Sequence, residues 1–219
     1  MRFGRCWVPE RYPPFIARVV VPVFETIFSN WTRLLTLRLN PLSVKSSGLV
    51  PREGGLIILS NHLADIDPIM IQWACPRPIH FMGKQELFDM KVIGYFMRLF
   101  QSFPIKRNTA DRNAIKTAIA LAKMGEVVAM FPEGELSETG ELRPLLPGAA
   151  LIIRQAGVLA ICCHLEGTNS ILPYGKTSPV FNPGAKLSAR WSEPRDLSGF
   201  SNEDIMEWVK ANIGPDTDS

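Results

Sequence analysis

Beyond Gly48, short apolar runs alternate with segments of helical length, and this alternation is what most restricts the fold. The runs are LIILS (56–60), PIHFM (78–82), FPIK (103–106), VVAMF (127–131), LAICCHL (159–165) and KLSARW (186–191). Their length and their β-branched and aromatic content predict strands. The intervening segments 67–75, 86–100, 110–124 and 148–155 have helical composition, and Lys123 followed by Gly125 is the usual order at a helix C-terminus. Such alternation predicts one α/β domain with a mostly buried mixed sheet flanked by helices. The chain of 219 residues is long enough for a full core, and no internal repeat or linker divides it. The domain is expected over 48–213, with 214–219 as a frayed tail.

Charge separates the N-terminal segment from the rest. Residues 1–48 carry seven basic side chains against Glu10 and Glu25, a balance of +5, while the remaining 17 bases and 19 acids give −2. Residues 15–39 are apolar but interrupted by Arg18, Pro22, Glu25, Arg33 and Arg38, short of the roughly 20 uninterrupted residues a spanning helix needs. Basic, aromatic and apolar together, residues 1–47 predict an amphipathic helical arm lying on an anionic membrane surface, with no nucleic acid as partner. No signal-peptide pattern is present. The four cysteines lack zinc-type spacing. Cys162 and Cys163 sit inside an apolar run and read as small buried hydrophobes of a reducing compartment.

The chemistry-bearing residues fall at the ends of the predicted strands. LIILS is followed by NHLADID and Pro68. Asp67 suits the N-cap of the next helix, with Pro68 at its first position. That leaves His62 unexplained. His-x₄-Asp is not a pair on one helical face, but a strand-to-helix turn can fold the two side chains together. One Asp67 oxygen would cap the helix while the other holds the imidazole in a single tautomer, leaving the far nitrogen as a general base. After VVAM comes FPEGELS, a sharp turn that presents Glu133 at the sheet's carboxyl edge, where open α/β sheets hold ligands. GKQELF places Lys84, and SFPIKR places Lys106 and Arg107, at two further strand ends. One base, one orienting acid, a cationic cluster and a second carboxylate thus gather at one edge.

NHLADID, GKQELF, SFPIKR, FPEGELS and LEGTNSILP, in this order, resemble the glycerolipid acyltransferases over about residues 48–173. The resemblance implies a membrane-associated O-acyltransferase of phospholipid biosynthesis. A fatty acyl group would move from acyl-CoA or acyl carrier protein, with no cofactor and no metal, to the free hydroxyl of a membrane lipid acceptor. It implies catalysis by His62 and Asp67, an acceptor site containing Glu133 and Gly134, and Lys84 and Arg107 near the phosphate. The acceptor expected is 1-acylglycerol-3-phosphate, giving phosphatidic acid. One position departs from the family pattern: where an arginine usually helps to bind the phosphate, this chain has Leu136, next to Glu135. Exchanging a guanidinium for leucine weakens recognition of a dianion and admits the alternative of lysophosphatidylethanolamine-type reacylation.

Two readings from other classes stand beside it. A His–Asp pair could serve a thioesterase, although the chain has no G-x-S-x-G elbow. A non-catalytic membrane-binding module would keep the fold without the chemistry. His80 and His164 lie inside strand patterns and read as satisfied core histidines. Because thioester donors are cytosolic and the acceptor lies in the bilayer, the expected location is the cytoplasmic face of the inner membrane, as a peripheral or monotopic protein.

Overall fold

The computed structural model describes residues 42–106, 111–176, 180, 182 and 184–214. The N-terminal arm up to residue 41, Arg107 and the tail beyond Gly214 lie outside the described residues. Among the described residues no helix is long and apolar enough to cross a membrane.

Eight strands form one mixed sheet: β1 (Leu42–Lys45), β2 (Leu56–Ser60), β3 (Ile79–Lys84), β4 (Phe103–Ile105), β5 (Val127–Met130), β6 (Leu159–Glu166), β7 (Leu187–Trp191) and β8 (Arg195–Asp196). The order is β1-β7-β6-β2-β5-β3-β4, with β8 also on β6. Strands β2 to β6 are mutually parallel, whereas β7 and β8 run antiparallel to β6. Among the described residues six α-helices accompany them: α1 (Asp67–Ala74), α2 (Gln85–Asp89), α3 (Lys91–Leu99), α4 (Arg112–Lys123), α5 (Gly148–Ala156) and α6 (Asn202–Ile213).

The central strands are buried on both faces, and their alternate side chains feed two separate cores. Ile57, Leu59, Val128, Met130 and Cys162 point to the layer of α4, α5 and α6. Leu56, Ile58, Val127, Ala129 and Cys163 point to the side that holds Met70 and Ile71 of α1. Cys162 and Cys163 are free, fully buried and on opposite faces, and burial pushes both thiols up. His80 and His164 each place Nδ1 on a backbone carbonyl, of Gln101 at 3.0 Å and of Ile213 at 2.7 Å.

Three features depart from the sequence expectation. Residues 42–45, counted there with the arm, form β1 and pair with β7. The single helix expected over 86–100 is two, because Met90 is extended (ψ 133°) and α3 turns back on α2. The short β8 and the whole of α6 were not foreseen.

Candidate active site

Strand β2 occupies the middle of the sheet, between β6 and β5, and delivers residues 61–67 to the carboxyl edge. Asn61 fixes its exit: its amide donates to Leu165 O (2.9 Å) and accepts from Leu165 N (2.8 Å), stitching the turn to β6. His62 follows, buried, with its ring stacked on Phe131 at a centroid distance of 3.9 Å and an interplanar angle of 13°. Its Nδ1 lies 2.9 Å from Oδ2 of Asp67, which is fully buried. A carboxylate oxygen accepts, so Nδ1 carries a proton, and in the neutral ring that leaves the lone pair on Nε2.

Asp67 does not act as the expected helix cap. It is the first residue of α1, and Ile66 occupies the N-cap position without a side-chain hydrogen bond. The same Oδ2 that holds the imidazole also accepts from Leu63 N (2.6 Å) and Ala64 N (2.8 Å), whereas Oδ1 is buried and meets no hydrogen-bond partner. The carboxylate faces back into the turn because its donors precede it in sequence.

The second motif grips the first. Glu133 is buried, and its Oε1 accepts from the backbone N–H of His62 (2.8 Å) while Oε2 accepts from that of Arg143 (2.8 Å). Ser137 N donates in turn to His62 O (2.8 Å). Burial pushes the Glu133 carboxyl up, against the two amides that stabilise its charge. Gly134 makes the turn possible: its φ is +74°, and Gly134 N reaches Phe131 O at 3.0 Å. His62 is therefore held at its backbone N–H, its carbonyl, its ring face and Nδ1.

Arg143 is a residue that the sequence reading missed. Its guanidinium bonds Leu136 O (3.2 Å) and pairs with Glu135 at 2.9 Å, so a cation stands beside the position where the motif lacks one. The signal lay seven residues beyond Leu136, in a loop whose path no periodicity reveals. Lys84 ends β3, half-buried and 3.7 Å from Glu86. In register it sits opposite Ile105, so Lys106 follows on the neighbouring strand. These two lie away from the histidine cluster: β3 is two strand spacings from β2, about 10 Å, and β4 three, about 14 Å. On the other side of His62 a depression of about 400 Å³ is lined by Asn61, Leu63, Glu141, Leu142, His164 and Glu166.

An α/β domain with a carboxylate-held histidine at the exit of its central strand defines the class of the protein by architecture, and comparison with known proteins defines the family. A family model described as Acyltransferase matches residues 42–168. A 1-acyl-sn-glycerol-3-phosphate acyltransferase of Bacillus subtilis (strain 168) is 33% identical over 179 residues, covering 81% of this chain and 85% of the relative. A chloroplastic 1-acyl-sn-glycerol-3-phosphate acyltransferase of Brassica napus is 32% identical over 130 residues, covering 58% of this chain and 37% of the relative. The crystal structure of the 1-acyl-sn-glycerophosphate acyltransferase PlsC from Thermotoga maritima shares the fold, with a TM-score of 0.69 at 23% identity over 91% of this chain and 89% of that one. The chain belongs to the Acyltransferase family. It is an O-acyltransferase, as the resemblance implied.

Proposed function

We propose that this acyltransferase moves a fatty acyl group from an acyl thioester, acyl-CoA or acyl carrier protein, to the free hydroxyl of 1-acylglycerol-3-phosphate, giving phosphatidic acid. It would work as a peripheral or monotopic protein on an anionic membrane surface, at the cytoplasmic face of the inner membrane. The names of the relatives support the acceptor. The observation that carries the chemistry is the 2.9 Å contact from His62 Nδ1 to a buried carboxylate.

In the proposed mechanism His62 Nε2 takes the proton of the acceptor hydroxyl as its oxygen attacks the thioester carbonyl carbon. A C–O bond forms and the C–S bond breaks, and the imidazolium returns its proton to the leaving sulfur. Asp67 stabilises the imidazolium and fixes the tautomer. No covalent acyl-enzyme and no metal enters the scheme. His62→Ala should remove almost all transfer, and retained turnover in that variant sinks the mechanism. Release of free fatty acid without acceptor at the rate of transfer would favour the thioesterase reading instead.

The lysophosphatidylethanolamine reading rests on Leu136 and on a Glu135 able to meet an amine. Glu135 is already paired with Arg143, and that guanidinium beside the motif supports a phosphomonoester acceptor. A side-by-side panel of lysophosphatidic acid and lysophosphatidylethanolamine tests this. Lysophosphatidic acid should be the better acceptor, and Arg143→Gln should weaken it about ten-fold while leaving lysophosphatidylethanolamine nearly unchanged.

A further inference from the structure

Helix α3 is mounted with its apolar side outward. Gly94 faces the protein so closely that a Cβ there would stand 2.3 Å from Phe88 O. Three and four residues on, Met97 packs over Gly83 near the end of β3, and Arg98 donates to Phe88 O at 2.9 Å. The opposite side, at the i, i+3, i+4, i+7 spacing, carries Val92, Tyr95, Phe96 and Leu99. Val92 is 69% exposed and Tyr95 61%, and Met90 and Ile93 beside them are also exposed. A helix on a water-facing surface ordinarily buries its large apolar side chains; in α3 the buried residue is Gly94, and Arg98, though exposed, reaches back over Phe88. Contiguous exposed apolar surface of this kind marks a binding face.

Its position and charge say what binds. β4 pairs only with residues Met82–Lys84, so the connection through α2 and α3 stays at the exit end of β3, the same sheet edge at which His62 stands. Lys84, Lys91 and Arg98 border the face against Glu86 and Asp89, an excess of one positive charge, and Tyr95 is the amphipathic aromatic suited to a headgroup boundary.

We propose that the outer face of α3, centred on Val92 and Tyr95, seats the enzyme on an anionic phospholipid bilayer at the edge where the acceptor arrives. The inference rests on the reading that the acceptor is a lipid, and it assigns a docking surface to the domain itself. The full-length protein and the double variant Val92→Ser, Tyr95→Ser are compared in sedimentation with vesicles of phosphatidylethanolamine and phosphatidylglycerol. Both side chains are exposed, so the variant should fold. Its vesicle affinity should fall about ten-fold or more, and transfer to acceptor presented in vesicles should fall with it. Transfer to the same acceptor in detergent micelles should be unchanged. Wild-type sedimentation by the variant overturns the proposal. So does a concentration-dependent dimer that the variant abolishes, which would assign the face to a second copy. If neither protein transfers acyl groups to this acceptor in micelles but vesicle affinity still falls in the variant, the docking face stands and the proposed acceptor fails.

Discussion

At His62 four contacts converge on one side chain and its backbone, and they come from residues of very different visibility. Asp67 is five positions away, so the pair could be read from the sequence; which oxygen did the work could not, because the amides of Leu63 and Ala64 decide it. That detail makes Asp67→Asn informative. An asparagine that keeps its oxygen in the Oδ2 position must put its NH₂ where Oδ1 lies buried without a partner, and it no longer supplies a charge to the imidazolium. We expect kcat to fall on the order of 10²–10⁴-fold, measured by steady-state transfer with the acceptor saturating. Glu133 was legible as a carboxylate at a strand end, but its two partners were not, since His62 lies 71 residues away. Both oxygens serve backbone amides, so Glu133→Gln must turn a donor towards one N–H and lose that bond at about 1–3 kcal/mol. The expected signature is a kcat lowered ten-fold or more with the acceptor KM little changed. A raised KM at constant kcat would return Glu133 to the acceptor-binding role that the resemblance implied.

Among the elements, the buried strands were the most legible because nothing competes with a run such as LIILS or VVAM for the middle of a sheet. Edges and breaks were not. β1 and β8 are short and paired on one side only, so their sequences carry no apolar run to announce them. Residues 86–100 have uniform helical composition, yet the chain breaks at Met90 so that Gly94 can approach the Phe88 carbonyl and Arg98 can bond it. Those are tertiary contacts, invisible to periodicity. The start of α4 is a further case. Asp111 caps it, accepting from Asn113 N and Ala114 N at 3.1 Å each, and its other oxygen accepts from Lys106 N at 2.9 Å. One side chain thus starts the helix and ties down the end of β4. Asp111→Ala should cost about 1 kcal/mol in equilibrium urea unfolding, with Asp111→Asn recovering part of it. An unchanged midpoint in the alanine variant would show that the cap carries no weight in the folded domain.

For the molecule as a whole, the carboxyl groups moved from their ordinary range lie in two kinds of place, and this sets how stability follows pH. Asp111, Glu126, Glu166 and Asp196 are all held low, and all lie where elements begin or end. Glu126, just before β5, is lowered chiefly by a hydrogen bond from His80, whose Nε2 is 3.5 Å away; Glu166, at the end of β6, is lowered chiefly by the Ser188 hydroxyl at 2.7 Å. A group whose folded pKa is depressed contributes stability that is complete above its unfolded value, here 4.5 for glutamate and 3.8 for aspartate, and lost as pH falls through the folded value. Glu133, buried at the centre of the site, has the opposite sign. Its folded pKa is raised, so its contribution is complete below 4.5 and lost as pH rises through the folded value. Below 4.5 Glu133 adds no slope, so the four depressed groups set the direction: Tm should decline as the pH is lowered from 4.5, and Glu126→Gln should flatten part of that decline because the charge that His80 and Arg77 favour is removed. Thermal unfolding followed by circular dichroism across that range measures both slopes. A Tm that stays level below 4.5 would show that the four depressed carboxylates carry no weight in stability, whereas a Tm that rises as the pH is lowered from neutrality towards 4.5 would report relief of the buried Glu133 charge.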